Sequence, residues 1–103
     1  MTDKRIIMMP AATRKLKSMG EQIKLARLRR KYQKGLVAER ANLSIEELDS
    51  VELGDPELPI GIYVRVLAAI GLEDDILNIA KDDVLGHFLQ DAELLRQDEE
   101  TVS

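Results

Sequence analysis

The tightest local constraint in the chain lies between Lys34 and Gly54. Val37, Ala38 and Ala41 recur at helical spacing, Asn42-Leu43-Ser44 interrupts, and a second periodic run carries Leu48 and Val51. Ser44 followed three residues later by Glu47 is a capping box, which places the second helix start at Ile45. Gly54 stops that helix and Asp55-Pro56 opens a turn. Asn42 is one of the few non-glycine residues that tolerate a left-handed backbone, and Ala38 is small where two helices must approach. The spacing predicts helices over 34–41 and 45–53, joined by a turn of helix-turn-helix length, with Val37, Leu48 and Val51 as shared core.

Around this segment the pattern stays helical. Leu16, Met19, Ile23 and Ala26 form one apolar face of a long helix over 12–31, and Gly20 inside it costs about 1 kcal/mol relative to Ala. Leu25, Leu28 and Tyr32 make a second stripe on the opposite side, which implies contact with another element such as a partner subunit. A helix over 60–70 carries Val66, Leu67 and Ile70 and ends at Gly71. Glu73 and Asp74 suit the start of a fifth helix reaching Ala80, because carboxylates are favoured at that end of the dipole. A last helix over 82–97 has Val84, Leu85, Phe88 and Leu89 as its apolar residues, and 98–103 reads as a frayed acidic tail. The reading is all-α, with five or six helices: a basic arm over 1–11 ended by Pro10, a domain over 12–80, and a C-terminal helix and tail over 81–103.

Composition agrees with helices and removes several kinds of chemistry. Hydrophobic residues are 45% of 103, yet only Tyr32, Tyr63 and Phe88 are aromatic, so the core must be aliphatic. Without cysteine there is no thiolate nucleophile, disulfide or zinc finger, and His87 alone cannot form a histidine metal cluster. It reads as a packing residue. Asp74, Asp75, Asp82 and Asp83 lack the alternation of a calcium loop. No nucleophile–base pair or phosphate loop is present, so neither catalysis nor a cofactor is expected. No apolar run reaches membrane-spanning length and no secretory signal is recognisable, which places the expected location in the cytoplasm. The net charge of −4 averages two opposed halves. Residues 1–44 hold 12 Lys/Arg against 3 acidic residues, net +9, whereas 45–103 hold 3 against 16, net −13. A basic half of this kind fits a polyanion such as duplex DNA, and it equally fits a solvated basic helix facing an acidic one.

The order of residues also resembles a family. Arg27-Leu28-Arg29-Arg30-Lys31, Val37-Ala38-Glu39-Arg40-Ala41, Leu43-Ser44, Leu48, Val51-Glu52 and Gly54-Asp55-Pro56 resemble the Cro/cI-type (XRE) helix-turn-helix family. Pro10-Ala11-Ala12-Thr13, the run from Gly61 to Asp75, and Asp82-Asp83 through Leu85-Gly86 to Leu89-Gln90-Asp91 resemble the HipB-like antitoxins, which accompany HipA-type kinase toxins. The likeness covers residues 8–92. It implies a lambda-repressor-like domain with its helix-turn-helix at about 34–54, acting as a homodimeric repressor on double-stranded DNA, with a HipA-like kinase toxin as a possible partner. It implies that Gln33 and Lys34 grip phosphate at a helix N-terminus and that Ser44, Ile45, Glu46, Glu47, Asp49 and Ser50 face the major groove. Lys34 stands where the family usually has Gln. Arg27 and Glu52 map to a structural ion pair.

One feature runs against tight operator binding. Glu46, Glu47 and Asp49 would bring three carboxylates to a phosphate-lined groove. Glu47 fits the capping box, and Glu46 fits the first turn of a helix. Glu46 or Asp49 would also suit a cytosine amino group, or simple solvation. Lys4, Arg5, Arg14, Lys15 and Lys17 suit an arm along the duplex or a solvated tail. A second reading therefore stands beside the repressor: a protein-interaction module on a helix-turn-helix fold that has weakened or lost DNA binding.

Overall fold

Pro10 sits in the first turn of helix α1 (Pro10–Arg29), where its missing N–H would have no helical partner in any case. The helix thus begins two residues before the expected start at residue 12, and the stretch preceding it ends at Met9. Its end also comes two residues early, because Lys31 turns left-handed with φ 59°. The Lys31 N–H then bonds the Leu28 carbonyl at 2.9 Å and the Tyr32 N–H bonds the Arg27 carbonyl at 3.2 Å, closing the helix in a Schellman arrangement. The computed structural model describes residues 7–81 and 87–101.

Two eight-residue helices follow, α2 (Lys34–Ala41) and α3 (Ile45–Glu52). Asn42 takes the left-handed conformation at φ 56° and ends α2. Ser44 and Glu47 cap α3 reciprocally: each backbone N–H donates to the other's side chain at 3.0 Å. Gly54, at φ 71°, turns the chain after α3. Between α3 and α4 (Ile60–Ala69), the Glu57 N–H donates to the Asp55 carboxylate at 2.9 Å and the Tyr63 hydroxyl donates to the Asp55 carbonyl at 2.6 Å. Gly71 leaves α4 at φ 82°.

The fifth helix is a 3₁₀ helix over Glu73–Asn78 rather than an α-helix to Ala80. Ile79 is extended and Ala80 is left-handed at φ 62°, so only six residues are available, too few to offset α-helix nucleation. Helix α5 (His87–Thr101) is the last described element. Its expected start at Asp82, with Val84 and Leu85, lies outside the described residues. Its end runs past Gln97 through the stretch read as frayed, because Arg96 bonds Glu93 one turn before it and Glu100 one turn after it. Among the described residues there is no strand, and the architecture is all-α.

The core is aliphatic apart from Tyr63. Leu48, Val37, Val51 and Val66 are fully buried, and Ile23, Ala26, Ala38, Ala41, Leu67 and Ile70 complete the cluster. Leu16 and Met19 pack against its edge. Gly20 proves to be a packing requirement. A Cβ there would lie 2.7 Å from the Val51 and Glu52 carbonyls and from the Gly54 nitrogen. A Cβ on Gly54 would in turn lie 2.5 Å from the Leu16 carbonyl, so α1 crosses the end of α3 backbone to backbone. The second stripe on α1 is left open, with Leu25 and Leu28 exposed and Tyr32 half-buried.

Candidate nucleic-acid interface

The α1–α3 crossing is fixed by charge as well as by contact. Arg27 on α1 and Glu52 on α3 are both buried. Arg27 Nε donates to Glu52 Oε2 at 2.7 Å and Nη2 to Oε1 at 3.1 Å, while Nη1 donates to the Tyr32 carbonyl at 3.0 Å. The two-pronged geometry, with the third nitrogen also satisfied, is what makes a buried pair tolerable. It holds the end of α3 against α1, and it takes up the turn that leads into α2.

With α3 braced from behind, its other side faces outward. Ser44, Ile45 and Glu46 are exposed, and Glu47, Asp49 and Ser50 are half-buried. Beside this face stands the start of α2. Gln33 and Lys34 are exposed there, no side chain caps the helix, and its first turn holds no acidic residue. A helix N-terminus left open in this way offers backbone N–H groups and partial positive charge to an anion.

The three carboxylates on α3 have three different environments. Glu47 is engaged in the capping box. Asp49 reaches across to α2, where its Oδ1 lies 2.8 Å from Lys34 Nζ, with the two side chains 43% and 45% exposed. Glu46 is exposed and, among the described residues, has no hydrogen-bond or ion-pair partner. Lys34 is therefore not the free cation that the resemblance implies. It is held by Asp49, fifteen positions along the chain, a pairing no local spacing rule would reveal. It offsets the carboxylate beside it and turns the α2–α3 edge into a neutral couple.

Further cations lie on α1. Arg14, Lys15 and Lys17 are exposed on the first half of α1, while Lys4 and Arg5 lie outside the described residues. Lys17 and Lys24 line a shallow cleft with Glu21, Leu25, Glu52 and Leu53, which puts two amines beside the end of α3. Lys24 was not singled out from sequence, and only the crossing of α1 over α3 brings it there. Arg40 stacks over Tyr32, its guanidinium carbon 5.0 Å from the ring centre. Tyr63, under the α3–α4 turn, has its phenol pushed up to about 12 by burial and then by the Asp55 charge.

Among the described residues, no group of three or more His, Cys, Asp or Glu is placed to hold a metal ion, and no helix is long and apolar enough to cross a membrane. The side chain of His87 is outside the described set. Comparison of the chain with protein-family models, with curated proteins and with solved structures gives no match.

Proposed function

We propose that the protein is a sequence-specific DNA-binding transcriptional repressor, built on a Cro/cI-type helix-turn-helix over residues 34–54 and acting as a cytoplasmic homodimer. The reading is carried by one observation: α3 is braced by Arg27–Glu52 and presents Ser44, Ile45 and Glu46 to solvent beside the uncapped start of α2. In this reading Gln33, Lys34 and the α2 N–H groups take a phosphate, and α3 enters the major groove. Glu46, exposed and unpaired, is the carboxylate that would accept a hydrogen bond from a cytosine amino group. Lys17 and Lys24 add phosphate contacts beside the end of α3. The residue likeness to HipB-like antitoxins extends the proposal to an autoregulating antitoxin whose partner is a HipA-like kinase toxin.

The test is retention of the gene's own upstream duplex over a scrambled duplex of equal length at about 0.15 M salt. Specific retention at least ten times stronger, lost on Glu46→Lys together with Ser50→Lys, supports the reading. Equal retention of both duplexes removes the sequence-specific part.

A second reading has its own support. The Lys34–Asp49 couple removes one cation from the phosphate-facing edge, and the half from residue 45 onward carries a net −13. Both suit a protein-interaction module that has kept the fold and lost affinity for DNA. Stable co-purification with a basic partner, without retention of any duplex, would favour it.

A further inference from the structure

A broad, open hollow of about 520 Å³ lies between α2 and α4, lined by Arg40, Ala41, Asn42, Arg65, Ala68 and Ala69. Its floor is alanine, so no long side chain of the domain fills it, and its charged lining residues are the two arginines alone. Both are exposed, and among the described residues neither has an ion-pair or hydrogen-bond partner. Arg65 is the one charged residue of α4, and it stands unpaired although the half of the chain from residue 45 onward carries a net −13. Glu39 precedes Arg40 on α2 but does not line the hollow. Arg40 is positioned in advance: its guanidinium carbon sits 5.0 Å over the Tyr32 ring, and the Tyr32 carbonyl is itself held by Arg27 Nη1 at 3.0 Å. Stacking uses the face of a guanidinium and leaves the N–H donors at its edge free.

Two like charges on one hollow without a counter-charge repel each other, and an anionic occupant removes that repulsion. The surrounding backbone decides which kind of anion fits. Ala41 and Asn42 are the end of α2, and Ala68 and Ala69 are the end of α4, so the hollow is bordered by helix C-termini. These ends carry partial negative charge and unpaired carbonyls, the opposite of a phosphate cradle. A peptide suits them, because it brings N–H donors for the carbonyls together with carboxylates for the guanidiniums. We propose that this hollow binds an acidic peptide segment of a partner protein, with one carboxylate on each arginine and a small apolar residue on the alanine floor. Arg40 lies about 9 Å along α2 from Lys34, at the opposite end of the helix from its open start. The site is therefore separate from the duplex-facing edge and does not depend on the repressor reading.

The probe is an end-blocked peptide of about eight residues alternating glutamate and alanine, titrated into the nitrogen-15-labelled full chain at about 50 mM salt and followed by amide NMR. The amides of Ala41, Asn42, Ala68 and Ala69 should shift and saturate with a Kd below about 1 mM, and a glutamine–alanine peptide should leave them unmoved. Arg40→Gln/Arg65→Gln changes exposed positions only, and it should weaken peptide binding at least about 10-fold while circular dichroism and retention of the upstream duplex stay as they are. Lys17→Gln/Lys24→Gln should leave peptide binding within about 2-fold, which separates the hollow from the basic face of α1. The absence of saturable shifts at these four amides up to about 5 mM peptide overturns the proposal, and that outcome includes a hollow already filled by acidic residues of the chain itself. Shifts that persist in Arg40→Gln/Arg65→Gln overturn it too. So does a scrambled duplex that displaces the peptide and moves the same four amides, because the arginines would then belong to the DNA backbone.

Discussion

Replacing Asp49 by Asn should strengthen DNA binding by this protein, even though it removes an ion pair. In the free protein Lys34 Nζ is 2.8 Å from Asp49 Oδ1, so a phosphate that takes the lysine must approach a carboxylate as well. A phosphate oxygen on the far side of Nζ would lie roughly 5 Å from the Asp49 oxygens. The repulsion at that distance is about 0.8 kcal/mol at the dielectric constant of water and about 3 kcal/mol at an effective value of 20. Both side chains are nearly half exposed, which favours the lower end, roughly 1 kcal/mol or about 5-fold in affinity per subunit. Two subunits on one duplex give roughly 30-fold. The cost in stability is small, because an exposed pair contributes under about 1 kcal/mol. Fluorescence anisotropy with a labelled duplex at 50 to 300 mM salt reads the effect. A double-mutant cycle makes it specific: Lys34→Ala should cost more affinity in the Asp49→Asn background, where the lysine no longer exchanges one anion for another. Unchanged or weaker binding by Asp49→Asn, or the same Lys34→Ala cost in both backgrounds, would refute the reasoning.

Three further predictions concern what holds the interface in place. Gly20→Ala should destabilise the fold despite the better helix propensity of Ala, because the methyl would meet three backbone atoms at 2.7 Å. A loss of about 1–3 kcal/mol, or at least 4 °C in Tm, is expected by calorimetry, and a gain would show that α1 can slide off α3. Glu52→Leu alone should cost about 3–5 kcal/mol by stranding Arg27, and Arg27→Met added to it should recover most of the loss in urea unfolding. Tyr63 titrates in the fold at about 12, above its ordinary 10, so its neutral form is the one the fold favours. The stability this contributes is complete below pH 10 and is lost as pH rises from 10 through 12. Tyr63→Phe should abolish that alkaline slope and cost about 0.5–1.5 kcal/mol at neutral pH by deleting the bond to the Asp55 carbonyl.

What was legible in the sequence was local. Ser44 and Glu47 cap α3 because their three-residue spacing lets each reach the other's backbone, and Asn42 ends α2 because its side chain tolerates a left-handed backbone. The start of α1 at Pro10 was legible as well. Proline fits the first turn of a helix, because its missing N–H would have no partner there, and the extended Met9 before it ends the arm one residue earlier. The remainder depended on tertiary approach. Gly20 reads as a defect in one helix until α3 is laid across it. Lys34 and Asp49 lie in separate helices, each with a local role of its own, and only the α2–α3 angle makes them partners. The six residues from Glu73 satisfy the dipole rule, yet Ala80 turning left-handed leaves them too short for an α-helix. Likewise, the outward position of Glu46 follows from which side of α3 the buried Glu52, Leu48 and Val51 occupy.

The central claim is that the outer face of α3 and the open start of α2 together bind a duplex. A salt titration of affinity for the upstream duplex, from 50 to 300 mM, addresses it most directly. The account predicts that log K falls linearly with log salt, losing about 0.9 per phosphate neutralised, and that Asp49→Asn steepens the line by up to about one unit per subunit. A line that stays flat, or no measurable binding to any duplex at 50 mM, would contradict it.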